Sequence, residues 1–553
     1  MPLQFANRFI HQLPGDPAEP ISEWTTQEFA RARQPRQVRG ACYSRAWPVV
    51  PSAPSLLCVA TEVSDLLGLS HEETQSTWFL DAFSGKKLLP QMQPFAMCYG
   101  GHQFGHWAGQ LGDGRAINLG EVLSPAGDRW MLQLKGAGPT AYSRTADGFA
   151  VLRSSVREFL CSEAMFHLGV PTTRALCLIG TGDLVVRDMF YDGRPRREPG
   201  AIVCRVAPSF VRFGNFEIFS ARNEIENLNR LVDYVIRTDF PELIAEEQIS
   251  DGGVDQATKV AWFHEVCRRT ALMIVAWMRV GFVHGVMNTD NMSILGLTID
   301  YGPYGWLEDY DPSWTPNTTD AEGRRYCYGQ QPQIAYWNLA QLANALQGCV
   351  EDTAALESGL KFYVDTMRTH WQQSMAQKLG FENWQESEDS PLVEGLFTVL
   401  RSAEIDMTWF YRLLGDWEGD RVWGVGGSEG DRRKSAMFHF RSAFYREDEQ
   451  SDRVAMEFVG WLDRYSQRLE RQSISAPERK WRMSRVNPKF VLRNYLAQRA
   501  IETAEAGDPT EIERLLDVMR RPYDDQPGRE AYAEKRPEWA RDKPGCSTLS
   551  CSS

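Results

Sequence analysis

The chain has 553 residues, 43% of them hydrophobic and 24% charged, which is the composition of an ordinary globular protein. This length is enough to bury a large core and to divide into at least two lobes. The formal net charge of −13 argues against a nucleic-acid-binding protein, because such a protein needs a basic face to neutralise phosphates.

Targeting and membrane signals are not evident in the sequence. Residues 1–7 have neither the basic start nor the apolar run of a signal peptide. The most apolar stretch, residues 270–287, is interrupted by Arg279 and His284 and is too short to span a bilayer. The eleven Cys residues are scattered, without a CxxC pair. We therefore expect a cytoplasmic protein with reduced thiols and no contact with membranes.

In chain order, the first predicted unit is an N-terminal extension at residues 1–95. Alternating segments at 116–122 and 130–135, separated by turn residues 124–128, then predict a β-hairpin. Apolar residues at helical spacing predict a helix over residues 151–168. The apolar runs after this helix predict two further strands, at 184–187 and 201–206.

The hairpin and the helix carry residues suited to holding a nucleotide. Lys135 ends the second strand, and Glu158 on the helix would fix its ammonium group by an ion pair, so that it faces phosphate oxygens. Gly112, Gly114 and Arg115 precede the first strand, where glycines let a backbone approach a phosphate. A surface Lys, an exposed helix Glu and an ordinary turn are the alternatives.

Two arginines follow near the junction of the predicted lobes. Arg205 and Arg212 lie seven residues apart, and guanidinium groups bind phosphate oxygens in a bidentate manner. Salt bridges to neighbouring acids explain them equally well. Asp147 and Gly148, taken alone, form a plain turn pair.

Residues 281–302 carry the most specific pattern of the chain. They resemble the catalytic and metal-binding loops of kinases, where His-Gly-Asp precedes a metal-binding Asn by five residues and an apolar run then ends in Ile-Asp. His284, Asn291 and Asp300 are kept, but Val286 stands at the position of the catalytic Asp and cannot accept a proton. The sequence therefore keeps the parts that hold metal and nucleotide and lacks the usual base.

Oxygen ligands in this segment predict a metal site. The amide oxygen of Asn291 and the carboxylate of Asp300 suit Mg²⁺; a capping Asn and a loop Asp are the alternative. Asp290 is the nearby carboxylate that could replace the missing base, and its alternative role is helix capping or support of the metal.

Longer motifs make the chain similar to the selenoprotein O (SelO) family of kinase-like protein adenylyltransferases. The resemblance covers most of the chain from about residue 95 onwards. The motifs are residues 99–115, 134–144, the segment with Arg205 and Arg212, residues 284–306 and residues 487–494.

This resemblance implies an α+β, protein-kinase-like fold with two lobes and with N- and C-terminal extensions. The small lobe would be rich in β-structure with one key helix, and the large lobe mainly helical. The implied division is an extension at 1–95, the small lobe at 96–220, the large lobe at 221–413, a helical extension at 414–522 and a polar surface tail at 523–553.

The resemblance also implies a pseudokinase that binds ATP in reverse and transfers AMP to Ser, Thr or Tyr hydroxyls of proteins, with UTP as an open alternative substrate. Asn291 and Asp300 would hold Mg²⁺ or Mn²⁺, and Asp290 would accept the proton. The residues implied to contact the nucleotide are Gly112, Gly114, Arg115, Lys135, Asp147, Gly148, Arg205 and Arg212.

A redox residue stands third from the C-terminus in this family, and Cys551 matches its Cys form. The resemblance implies a partner Cys in the loop after the metal-binding Asp. Residues 312–319 contain none, Cys327 comes later, and Cys546 is a further tail thiol. An unpaired tail thiol is the favoured interpretation.

A phosphotransferase with Asp290 as base and a catalytically silent nucleotide-binding scaffold remain alternative functions.

Overall fold

A computed structural model describes residues 3–16, 24–189, 192–244, 253–418, 429–446 and 452–550. The strands of these residues are β1 (Gln4–Phe5), β2 (Gly15–Asp16), β3 (Tyr43–Arg45), β4 (Ser55–Val59), β5 (Phe95–Met97), β6 (His102–Gln103), β7 (His106–Trp107), β8 (Ala116–Leu123), β9 (Arg129–Lys135), β10 (Arg174–Arg187), β11 (Arg196–Ala207), β12 (Phe282–Val283) and β13 (Gly305–Trp306).

The helices of the described residues fall into two groups. Those up to residue 221 are α1 (Arg8–Gln12), α2 (Thr26–Ala32), α3 (Thr61–Leu66), α4 (His71–Thr74), α5 (Thr77–Phe83), α6 (Leu152–His167) and α7 (Phe213–Ala221). Those after it are α8 (Ile225–Asp239), α9 (Gln256–Val280), α10 (Gln331–Leu346), α11 (Thr353–Leu379), α12 (Glu386–Ser402), α13 (Met407–Gly415), α14 (Glu429–Phe440), α15 (Asp452–Leu469), α16 (Ala476–Ser484), α17 (Asn494–Glu505) and α18 (Thr510–Met519).

One mixed sheet dominates the first group of elements. Its order is β2-β3-β5-β8-β9-β11-β10-β4, and β1 pairs with β8. The pair β2–β3 is parallel and the other pairs are antiparallel. Strands from residues 1–95 thus hydrogen-bond into the same sheet as β8 to β11. The chain is an α+β protein in which this sheet is followed by many helices.

The central helix α6 lies against β10 and β11 on one side and against α17 and α18 on the other. Most of its residues are buried, including charged Arg157, Glu158 and Glu163. Burial of a helix on nearly all sides fixes its position, and buried charges require partners. Arg174 supplies one such partner, since its guanidinium binds both carboxylate oxygens of Glu163 at 2.9 and 2.6 Å.

Local signals end the long helix that leads into the loops of residues 281–302. Asp255 caps α9 by accepting a hydrogen bond from the backbone N–H of Thr258. Gly281 ends the helix in the left-handed conformation, with φ of 76°. The strand pair β12–β13 follows directly, and its residues Phe282 and Trp306 are buried in the large apolar core. The loops of residues 284–302 are therefore anchored to the core at both ends.

The structure confirms the predicted hairpin as β8 and β9, in which Ala116 pairs with Lys135. It also confirms the helix over 151–168 as α6. The strands predicted at 184–187 and 201–206 are longer, because β10 and β11 begin at Arg174 and Arg196 and pair along most of their length. Within the expected helical extension at 414–522, residues 419–428 lie outside the described residues, and α14 begins at Glu429.

The described part of the C-terminal tail is partly buried, although we expected it to lie along the surface. Leu549 is 1% exposed, and it exchanges backbone hydrogen bonds with Pro316 and Thr318. Cys327 and Cys546 are both buried and both free thiols. Cys551 lies outside the described residues, so its predicted unpaired state stays a prediction.

Among the described helices, none combines the length and apolar character needed to cross a bilayer.

Candidate active site

A cavity of about 770 Å³ lies between the ends of β8, β9 and β11 and the loops that follow β12. This size suits a nucleotide-sized ligand. All the candidate site residues line it, although they come from widely separated parts of the chain: Gly112, Gly114, Arg115, Lys135, Asp147, Gly148, Arg205, Arg212, Asp290, Asn291 and Asp300. Their roles stay predictions, but the structure brings all of them together.

The predicted ion pair between Lys135 and Glu158 is confirmed as a contact, with the ammonium nitrogen 2.6 Å from the carboxylate. Arg205 approaches the same carboxylate at 3.1 Å. Burial lowers the pKa of Lys135, and the carboxylates of Glu158 and Asp300 partly oppose this effect. The strand end and the buried helix therefore hold a cation at the wall of the cavity.

Asp300 is the electrostatic centre of the site. Its carboxylate binds Arg205 and Arg212 and lies 3.6 Å from the ammonium group of Lys135. Burial alone would raise the pKa of Asp300, but Arg212, Arg205 and Lys135 hold it well below its usual range. Its φ of 60° is unusual for a residue other than glycine. The backbone of Asp300 is thus held in a strained conformation at the point where three cationic side chains meet.

Asp290 differs from Asp300 in having few partners that stabilise its negative charge against the cost of burial. Its Oδ2 accepts a hydrogen bond from Gln103 Nε2 at 3.3 Å, whereas its buried Oδ1 has no hydrogen-bond partner among the residues that the structure describes. Burial raises the pKa of this carboxyl group to about 7, against the opposing effects of Arg212 and Gln103. Arg212 donates to the backbone carbonyl of Asp290 at 2.8 Å. The free Oδ1 is the atom that can accept a proton.

The loop between His284 and Asn291 is held by its own hydrogen bonds. The amide nitrogen of Asn291 donates to the carbonyl of Val286 at 2.9 Å, which leaves the amide oxygen to bind a cation. One ring nitrogen of His284 lies 2.8 Å from the carbonyl of Ile299 and links the loop to the segment before Asp300. The amide oxygen of Asn291 and the carboxylate of Asp300 fit a hard divalent cation.

The glycines of the cavity wall have a second reason to be glycine. A Cβ atom on Gly112 would lie 2.3 Å from the ring of Tyr142, and one on Gly148 would lie 2.3 Å from the backbone of Gly138 and Pro139. Close packing, against a side-chain ring at Gly112 and against backbone at Gly148, therefore favours glycine at these two positions, as do their positive φ angles. Asp147 is held from outside by Arg187, whose guanidinium binds both of its carboxylate oxygens at 2.7 Å.

Several polar residues of the site were missed in the sequence. Asp113 lies 3.8 Å from Arg212, and Gln133 accepts a hydrogen bond from Arg205. Gln103 reaches Asp290 across 187 residues of sequence. Asp113 and Gln103 belong to the 99–115 motif and Gln133 lies just before the 134–144 motif, but no periodicity shows which of these residues point into a site.

The fold and this cation-rich cavity define a nucleotide-dependent transferase, since an Asn–Asp pair and basic side chains beside it are the parts that stabilise a transferring phosphorus group. Residues 37–520 match the family described as protein adenylyltransferase SelO, and the chain belongs to this family. It is therefore an enzyme, a nucleotidyltransferase.

Curated relatives match over the whole chain and carry the name protein nucleotidyltransferase YdiU. The relative from Aromatoleum aromaticum is 55% identical over 551 residues, covering 99% of each chain. The relative from Azoarcus sp. strain BH72 is 54% identical and covers 100% of both chains. The relative from Xanthomonas axonopodis pv. citri is 55% identical, covering 100% of this chain and 99% of its own.

Proposed function

We propose that the enzyme transfers AMP from ATP to Ser, Thr or Tyr hydroxyls of proteins and releases pyrophosphate. The observation that carries this proposal is the site's charge arrangement. Three cations surround Asp300, the buried Arg205 and Arg212 and the largely buried Lys135, while Val286 occupies the position at which a kinase keeps its base. More positive charge is gathered here than phosphoryl transfer usually requires.

The surplus of cations favours a nucleotide bound with its triphosphate tail at Lys135, Arg205 and Arg212. A triphosphate in the cavity competes with Asp300 for these groups and would free the Asp300 carboxylate for a metal ion. The departing pyrophosphate then leaves from among fixed positive charges, which lowers the barrier to nucleotidyl transfer. The rest of the nucleotide would be lined by the remaining candidate residues of the cavity: Gly112, Gly114, Arg115, Asp147 and Gly148.

Each bond change in the proposed reaction has an assigned group. The acceptor hydroxyl oxygen forms a bond to the α-phosphorus, and the bond from this phosphorus to the bridging oxygen of pyrophosphate breaks. The hydroxyl proton passes to Oδ1 of Asp290, which has no other hydrogen-bond partner among the described residues. Asn291 and Asp300 would hold Mg²⁺ or Mn²⁺, which neutralises phosphate charge when bound.

The same proposal includes a kinase-like division into two lobes, 96–220 and 221–413, with extensions before and after. Support comes from the distribution of elements, because β8 to β11 and α6 fall in the first range and α8 to α12 in the second. The cavity is lined by residues from both ranges, as a cleft between two lobes would be.

Transfer of label from ATP tests the reaction type. Purified enzyme is incubated with an acceptor protein and with ATP labelled at the α- or the γ-phosphate. We expect label on the acceptor from the α position, with one pyrophosphate released per transfer. Label from the γ position alone would establish a phosphotransferase instead. No label from either position, together with ATP-dependent stabilisation, would establish a binding scaffold.

A further inference from the structure

A short hairpin, β6–β7, stands at the mouth of the cavity. Its residues Gln103 and Phe104 line the cavity, and Gln103 donates to the Asp290 carboxylate at 3.3 Å. Its other end is exposed, with Trp107 40% accessible to solvent. The hairpin therefore runs from the proposed proton acceptor to the outer surface.

Hydrogen bonds that are buried or partly buried fix this hairpin to the loop that carries Asp290. The backbone N–H of His102 donates to the hydroxyl of Thr289 at 2.7 Å, and that hydroxyl donates to Glu217 at 2.5 Å. The same Glu217 lies 3.0 Å from Nδ1 of His102. The backbone N–H of Phe104 donates to the hydroxyl of Tyr326 at 2.9 Å. A surface anchored in this way is preorganised for binding.

A row of aromatic rings connects the hairpin to the guanidinium group of Arg325. The ring of His102 contacts those of Trp107 and Trp337, with centroids 5.2 and 5.5 Å apart. The guanidinium carbon of Arg325 lies 4.7 Å from the Trp337 ring centroid. A Cβ atom on Gly105 would be 3.5 Å from this same carbon. We name the surface of His102, Gly105, Trp107, Arg325 and Trp337 the acceptor platform.

Among the described residues Arg325 forms no ion pair and its buried Nε has no hydrogen-bond partner, although the guanidinium bonds the Tyr326 side chain and acts at longer range on the Asp320 carboxylate. The nearby Asp320 instead accepts the backbone N–H groups of Arg325 and Tyr326. Stacking on Trp337 keeps the guanidinium in place without neutralising it. On a chain with a net charge of −13, this is a cation held ready for an external anion.

We propose that the acceptor platform binds an extended segment of the acceptor protein, and that Arg325 pairs with an Asp or Glu beside the target hydroxyl. This inference rests on the proposed function. The Cα atoms of Gly105 and Gln103 are at most about 7 Å apart, and the Gln103 side chain and its 3.3 Å hydrogen bond to Asp290 add to this span, so that a few extended residues bridge the distance from Arg325 to Asp290. A carboxylate within a few residues of the target hydroxyl can thus reach Arg325 while the hydroxyl faces Asp290.

Serine peptides that differ only in carrying Asp or Asn next to the serine test this assignment. We expect the wild type to prefer the Asp peptides by about fivefold in kcat/KM, the effect of one partly exposed ion pair. Arg325→Gln should remove the preference through a higher KM for the peptide and leave the KM for ATP unchanged. Arg325→Lys should keep part of the preference, because it retains the charge.

Arg324→Gln is the matched control, since Arg324 is the exposed neighbour and bonds Ser313 instead. It should behave as wild type. The platform is contradicted if Arg325→Gln keeps the Asp preference, if it raises the KM for ATP, or if folded proteins are modified and no peptide is. AMP transfer without acidic preference would refute the platform alone, whereas absence of AMP transfer by the wild type would refute the proposed function.

Discussion

Replacing Asp290 by Asn is expected to lower AMP transfer by about 100- to 10,000-fold, the usual contribution of a positioned proton acceptor. The substitution keeps the size of the side chain and an oxygen to accept the hydrogen bond from Gln103, but removes the group that takes the proton. Affinity for ATP should change little, because Arg212 binds the backbone carbonyl of this residue and not its side chain. Single-turnover transfer of α-label and equilibrium binding of ATP measure the two effects separately.

Asp311→Asn provides the control for this variant. Asp311 is a partly buried acid that bonds the backbone N–H and hydroxyl of Ser313, away from the residues that line the cavity. Its replacement should leave transfer near the wild-type rate. Normal transfer by Asp290→Asn would mean that another group accepts the proton, and the proposed chemistry would need a different base.

Replacing Asp300 by Asn is expected to impair both stability and activity. The carboxylate is shared by Arg205, Arg212 and Lys135. Its loss leaves Lys135 and Arg205 with Glu158 alone and Arg212 with Asp113 at 3.8 Å, so that the positive charge of the site is only partly compensated. Breaking a buried ion pair on one side costs about 3–5 kcal/mol of unfolding free energy. Denaturant unfolding measures this loss, and metal-dependent AMP transfer should disappear in the same variant, because a proposed metal ligand is removed.

An exposed ion pair supplies the contrast for stability. Asp147 pairs with Arg187 and its side chain is 40% exposed. Asp147→Asn should therefore lower the unfolding free energy by no more than about 1 kcal/mol. If Asp300→Asn and Asp147→Asn lower the unfolding free energy by the same small amount, the Asp300 carboxylate is not needed to stabilise the three cations around it. If Asp300→Asn retains metal-dependent activity, Asp300 does not hold the metal.

Much of the fold near the site follows from local signals. The alternation of β8 and β9 and the helical spacing of α6 are visible in short windows of sequence, and they place Lys135 and Glu158 on adjacent elements. Their ion pair could be predicted because the likeness of residues 281–302 to kinase loops indicated which strand and helix should meet.

Contacts between distant segments could not be predicted in this way. Gln103 meets Asp290 only because the loop after β12 folds against the hairpin β6–β7. Arg212 meets Asp113 only because the segment after β11 lies beside the segment before β8. The burial of Leu549 against Pro316 depends on long-range packing in the same way. Arg325 carried no signal in the sequence, since its proposed role depends on its stacking on Trp337 and on the absence of an ion pair among the described residues.

The orientation of the nucleotide is the central claim, and a structure of the enzyme with a non-hydrolysable ATP analogue and Mg²⁺ tests it most directly. We predict the β- and γ-phosphates at Lys135, Arg205 and Arg212, with the α-phosphorus facing Asp290. A terminal phosphate that faces Asp290, with the adenine ring in the slot that a kinase uses, would contradict the proposal.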